Sequence, residues 1–409
     1  MDVASGFHDK YKEDLRLARS IGTQMFKLSF SWSRILPNGF TNHVSKDGIQ
    51  FYKIVLDEIA ANEMIPMVTL LHMDLPNDLQ KMGGLTNPLF ADWFEQYARF
   101  VFATFGDKVK YWVTINELNM FCYGGYGNEF VPLLNMSGFA DYLCGHHALL
   151  AHTRAYRLYD REFRPSQNGK VGYTINFELP QPGDPSSPDD VTAAENDYQW
   201  FNNWLVHPVF SSDGDYITML KERIADRSRI QGFSTSRLPS FTEKQIRDVR
   251  GASDFLGIKY YTYDTITSMT NVDVNLVHFD NDNGANESDK AINFKDIPSV
   301  FGQLIQRLHK EYHPTIYITE NGFPEAALED KTKVEFLQRH LAEVLKAIYN
   351  GVDIQAYLLW SLTDTFEMQL GFQPKYGLFH VDFNDLNLTR TPRLSSKFIA
   401  RVYQTRRLE

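Results

Sequence analysis

The feature that most constrains the fold is an alternation. Short β-branched or aromatic runs take turns with longer segments of helical period along the whole chain. The runs are Met25–Ser31, Met64–His72, Tyr111–Glu117, Lys170–Phe177, Phe255–Thr262, Thr315–Gly322 and Ile354–Ser361. Between them, Asp47–Asn62, Phe90–Phe105, Tyr142–Asp160 and Lys331–Tyr349 repeat apolar residues at helical spacing. Strand–helix alternation predicts a parallel sheet covered by helices. Polar residues gather at the carboxyl ends of the runs: His72, Asn116, Glu117, Tyr261, Glu320 and Trp360. In a barrel, that rim carries the chemistry. The expected fold is therefore α/β, a single (β/α)8 TIM barrel over residues 1–409, with seven strands countable instead of eight. Two stretches, Pro180–Thr192 and Thr267–Lys290, read as long loops that shape a binding mouth.

Composition narrows the function classes. A net charge of −10 lacks the basic balance of a nucleic-acid binder. No apolar run approaches the ~18 residues of a membrane span. Two cysteines, Cys122 and Cys144, cannot form a disulfide framework, and leave open one bridge or two buried thiols. The sequons at Asn135, Asn286 and Asn387 are no more than chance supplies. The segment Met1-Asp-Val-Ala-Ser-Gly-Phe-His lacks signal-peptide character. The location stays open: secreted or lysosomal-type with an upstream leader, cytoplasmic otherwise.

Glycoside hydrolysis requires one carboxyl to protonate the leaving oxygen and another to attack or to activate water. Thr114-Ile-Asn116-Glu117 and Ile318-Thr-Glu320-Asn321-Gly322 each end a run with a glutamate beside an amide. Either glutamate alone would more often be an ion-pair or capping residue. Two of them on one barrel rim favour catalysis. His72-Met-Asp74 and Gly145-His146-His147 offer metal-ligand types, but no further ligands follow at suitable spacing, so no metal and no other cofactor is expected. Phosphate loops and nucleophile elbows are absent from the sequence.

From about Asp9 to Arg401 the chain resembles glycoside hydrolase family 1, the retaining β-glycosidases that include β-glucosidases and myrosinases. The resemblance is carried by Tyr11-Lys-Glu-Asp14, Ser29-Phe-Ser-Trp-Ser-Arg34, His72-Met-Asp-Leu-Pro76, Thr114-Ile-Asn-Glu117, Ala151-His152, His207-Pro208, Ile318-Thr-Glu-Asn-Gly322, and Trp360-Ser361 through Gly377. It is strongest to animal members, the insect ones in particular. It implies Glu117 as acid/base, Glu320 as nucleophile, and a small β-glycoside or oligosaccharide as substrate. His72, Asn116, Tyr261, Trp360 and Glu367 match sugar-contacting or nucleophile-supporting positions. A homodimer is left open.

The chain departs from the family pattern in five places. The family's first strand, with its Phe-Leu-Trp-Gly start, has no counterpart ahead of Met1, so a gap is expected between the first and last runs. Lys27 replaces an Arg that braces the nucleophile, and an ammonium lacks the planar fork of a guanidinium. Lys259 replaces an Asn, Met368 a Trp that contacts the sugar, and Leu85 a Trp of structural type. The phospho-glycosidase branch, with Ser at Glu367 and Lys at Pro374, does not match. Three readings follow: a β-glucosidase-like hydrolase, a degenerate member that binds a sugar or partner without hydrolysis, or a hydrolase altered toward anionic glycosides. Lys259 separates them. Solvation fits the first, an ion pair with Glu117 or Glu320 the second, and an uncommitted inward cation the third. Pointed at Glu117, Lys259 is also expected to lower that carboxyl's pKa.

Overall fold

The computed structural model describes residues 4–128, 133–287 and 297–408. All seven predicted runs form strands of one parallel sheet: β1 (Met25–Ser29), β2 (Ile65–Leu71), β3 (Tyr111–Ile115), β4 (Lys170–Asn176), β5 (Leu256–Tyr260), β6 (Ile316–Asn321) and β7 (Ile354–Tyr357). They pair in chain order, each with the next, and the sheet curls into a barrel wall. β2 shows why the runs are so apolar: every residue after Ile65 is buried, as a strand covered on both faces requires.

The helices lie outside. α1 (Phe7–Ser20) precedes β1, followed by α2 (Lys46–Ala61), α3 (Phe90–Phe105), α4 (Ala140–Leu158), α5 (Pro298–Tyr312) and α6 (Lys331–Tyr349). α3 illustrates the packing rule. Phe94, Tyr97, Val101 and Phe105 recur every three or four residues and are fully buried. Trp32 stacks on Tyr97 at 4.2 Å between ring centres. Inside the wall, a separate cluster of Met67, Val113, Phe255, Tyr317 and Leu358 plugs the barrel as a layer of inward side chains. No described helix is long and apolar enough to cross a membrane.

β1 and β7 are the two ends of the sheet, and among the described residues no strand joins them. The expected gap is therefore present. A cavity of about 940 Å³ opens there, lined by both strand edges and by α1 residues, with Lys27, His72, Glu320 and Trp360 at its inner side.

Two expectations require correction. Pro180–Thr192 is not a plain loop: Gln181–Pro182 forms a short strand and a helix starts at Pro188. The start signals were legible, with Ser187 accepting the Asp190 N–H, Pro188 at the first position, and Asp189 and Asp190 in the first turn. Nor is Thr267–Lys290 a structureless loop. Thr265–Ser268 and Ala285–Glu287 pair antiparallel around a helical turn at Phe279–Asn283, and Asp190 accepts the Ser268 N–H. Residues 288–290 lie outside the described residues. Cys122 and Cys144 form a disulfide that ties the helical turn after Glu117 to α4.

Candidate active site

Two backbone irregularities turn the two glutamates toward Lys259. Glu117, two residues beyond β3, adopts a left-handed conformation with φ of 45°, uncommon for a residue with a side chain. It is fixed there by its N–H, which donates to Thr174 Oγ1 at 2.8 Å, and by its carbonyl, which accepts the Phe121 N–H at 2.8 Å. Glu320 relies on a bulge. β5 and β6 run in register through Ile258 opposite Ile318, and then Lys259 lies opposite Glu320, so Thr319 is an extra residue. Strict alternation would send Glu320 to the same face as Ile318, toward the helices. The bulge re-aims it inward.

The side chains meet closely. Lys27 Nζ donates to Glu320 Oε1 at 2.6 Å and to Asn116 Oδ1 at 3.3 Å. Lys259 Nζ reaches Glu320 Oε2 at 2.7 Å and Glu117 Oε1 at 3.3 Å. Tyr261 OH donates to Glu320 Oε2 at 2.8 Å. Since one ammonium touches both carboxylates, those two oxygens are no farther apart than its two contacts laid end to end. Trp360 Nε1 donates to Glu367 Oε1 at 3.0 Å, and the His72 ring centre lies 6.3 Å from that of Trp360. Asn116 is fully buried, and its Nδ2 has no partner among the described residues. Nine of the ten predicted site residues thus join one cluster. Met368, half-buried with a φ of 48°, takes no part in the hydrogen-bonded network.

The model of glycosyl hydrolase family 1 matches residues 1–408. The chain belongs to glycosyl hydrolase family 1. It is 35% identical to myrosinase 1 of Brevicoryne brassicae, over 99% of this chain and 88% of that protein. Its identity to the cytosolic β-glucosidase of Cavia porcellus is 36%, over 100% of this chain and 89% of the relative. To human lactase/phlorizin hydrolase it is 38% identical over 98% of this chain, but it spans 21% of that protein. In structure, an aphid myrosinase superposes with a TM-score of 0.92 at 34% identity, covering 98% of this chain and 88% of the other. A rice β-glucosidase gives 0.90 at 29%, with the same coverage. The (β/α)8 barrel assignment and the O-glycosyl hydrolase class follow.

Within this family 1 barrel the electrostatics separate the two carboxyls. Burial pushes Glu320 upward, but Lys259 and Lys27 outweigh it and hold the carboxyl well below the usual range. Glu117 goes the other way. Burial raises its pKa and the charge of Glu320 adds to the rise, against the pull of Lys259. Lys259 lowers the Glu117 pKa as expected, but desolvation outweighs its 3.3 Å contact, which is longer than the one to Glu320, and the net shift is upward. His72 is lowered to about 3 by burial and by both lysines, so its imidazole is neutral. Burial lifts Glu367 to about 7. His146 and His147 are core residues of α4, where Nδ1 of each bonds Tyr216 OH and the Leu85 carbonyl respectively. Leu85 is itself fully buried. Sequence reasoning passed over Tyr357 and His340, which contact the amide next to Glu320.

Proposed function

We propose that the chain hydrolyses β-glycosides with retention of configuration, Glu320 attacking the anomeric carbon and Glu117 protonating the leaving oxygen. One arrangement carries the reading: two close carboxyls share the Lys259 ammonium, and their surroundings drive their proton affinities apart. Opposed shifts of this kind assign acid and nucleophile within a pair. Their sharing of one ammonium is in keeping with the ~5–5.5 Å carboxyl separation of retaining enzymes. Glu117 then deprotonates the water that releases the sugar. Neutral His72, the Asn116 Nδ2 that has no partner among the described residues, Trp360 and Glu367 are suited to hydroxyl recognition, and Tyr261 supports the nucleophile. A neutral hexoside fits best, because Lys27 and Lys259 are both already committed to Glu320.

A second reading, sugar binding without efficient turnover, is favoured by one fact: Lys259 pairs with both carboxylates. Proton NMR of the products released from an aryl β-glucoside tests the first reading. Early appearance of the β-anomer is expected. The α-anomer would exclude the mechanism, and no hydrolysis alongside measurable sugar binding would establish the second reading.

A further inference from the structure

The bulge that turns Glu320 inward leaves the next residue, Asn321, pointing into the helix layer, where it is fully buried. There every polar atom of its amide is engaged. Its Nδ2 donates to the carbonyl of Tyr260 on the neighbouring strand at 2.5 Å. Its Oδ1 accepts from Tyr357 OH of β7 at 2.5 Å and from His340 Nδ1 of α6 at 3.1 Å. Because Oδ1 can only accept, His340 carries its proton on Nδ1. On the other side of the bulge, the Thr319 hydroxyl donates to the Ile258 carbonyl at 3.1 Å. The extra residue is thus stitched to β5 on both sides by side chains, where the regular ladder is broken.

We infer that Asn321, held by Tyr357 and His340, is a positioning residue that keeps the Glu320 carboxylate turned into the barrel. Three elements converge on this amide: β5 through Tyr260, β7 through Tyr357 and α6 through His340. Without the amide, the bulge keeps the Thr319 hydroxyl and the Trp360 N–H on the Asn321 carbonyl at 3.0 Å but loses its side-chain ties to β7 and α6, and strand alternation favours Glu320 rotating toward the helices. Glu320 would then leave Lys259 and Tyr261, which now lie 2.7 and 2.8 Å from it. Misplacement of a reacting group by about 1 Å can cost about 10²-fold in rate.

The kinetic part of this inference rests on the nucleophile role proposed for Glu320, and the structural part does not. The test uses crystal structures of the whole chain carrying Asn321→Ala or Tyr357→Phe, with the rate at which an activated 2-deoxy-2-fluoro-β-glucoside labels each protein, read by intact mass. Asn321→Ala is expected to move the carboxylate out of both contacts and slow labelling about 10²-fold, with KM for an aryl glucoside little changed. Tyr357→Phe removes one of two donors to Oδ1 and should slow labelling by less. His340→Asn, whose amide reaches about where Nδ1 stands, should recover most of what His340→Leu loses. A merely structural residue would lower stability without this kcat-specific loss and rescue. Glu320 still within hydrogen-bond distance of Lys259 and Tyr261 in Asn321→Ala overturns the inference, whether or not the protein turns over. If Asn321→Ala does not fold, an unmoved carboxylate in Tyr357→Phe overturns it. A wild-type chain that never labels counts against the hydrolytic reading, and the two crystal structures still decide the inference.

Discussion

Glu117 and Glu320 are the same residue type on the same lysine, and their surroundings make them opposites. Glu320 has one ammonium on each oxygen, at 2.6 and 2.7 Å, and a tyrosine hydroxyl besides. Glu117 has a single cation at 3.3 Å and is more exposed, 17% against 4% at the side chain. Both pay desolvation, but only at Glu320 does the compensation outweigh it. The lesson is that counting cations near a carboxyl is not enough. Lys259 dominates at Glu320, where Lys27 assists, and loses to burial at Glu117, where it acts nearly alone.

The contrast can be broken at either end. Glu320→Gln removes the attacking oxygen, and turnover should fall by about 10⁵- to 10⁶-fold, the scale seen when a covalent nucleophile is lost. Comparable rates for this variant on an aryl glucoside would remove Glu320 from the chemistry. Glu117→Gln should cost about 10²- to 10⁴-fold on alkyl glucosides and much less on activated aryl glucosides, which need little protonation. Equal losses on the two substrate classes would show that Glu117 is not the acid.

Lys259→Asn sharpens the contrast. The acid must be protonated, so activity is lost as pH rises through the pKa of Glu117. Lys259 lowers that pKa, so removing it should move the alkaline limb upward, by about one to three pH units for a cation at this range. Turnover of alkyl glucosides should rise with it. An unmoved alkaline limb in the pH–rate profile would mean that Lys259 does not act on Glu117. Lys27→Arg should change kcat/KM least, within about tenfold, since a guanidinium retains the charge and can still donate to Glu320. A larger drop would mean that the compact ammonium is itself required.

The wall of the barrel was legible because parallel strands buried on both faces read as apolar runs, and all seven were found within a few residues. Glu117 and Glu320 were legible as polar residues closing such runs. Their aim was not. Glu320 is turned inward by one extra residue in β6, and Glu117 by a left-handed backbone angle, and neither leaves a distinctive residue in the sequence. Asn321 was visible only as an amide neighbour, since Tyr357 and His340 reach it from 36 and 19 positions away. The pairing of Lys259 with both carboxylates was foreseeable in kind, and so was its lowering effect, but the net shift at Glu117 depended on burial, which one chain position does not announce. The loop expected at Pro180–Thr192 failed for a different reason: its Ser-Pro-Asp-Asp start signal was present and was read as turn composition.

The proposed split of this pair into an acid and a nucleophile can be measured without turnover. Chains carrying ¹³C at the glutamate carboxyl carbon, titrated by NMR, report each group directly, with Glu117→Gln and Glu320→Gln supplying the assignments. The Glu117 signal should titrate above the ~4.3 of an ordinary glutamate. Glu320 should remain ionised to the lowest pH at which the fold persists, and the Glu117 midpoint should fall in Glu320→Gln, where the neighbouring charge is gone. Two overlapping titrations near the ordinary value, or a Glu117 midpoint below that of Glu320, would contradict the proposed split.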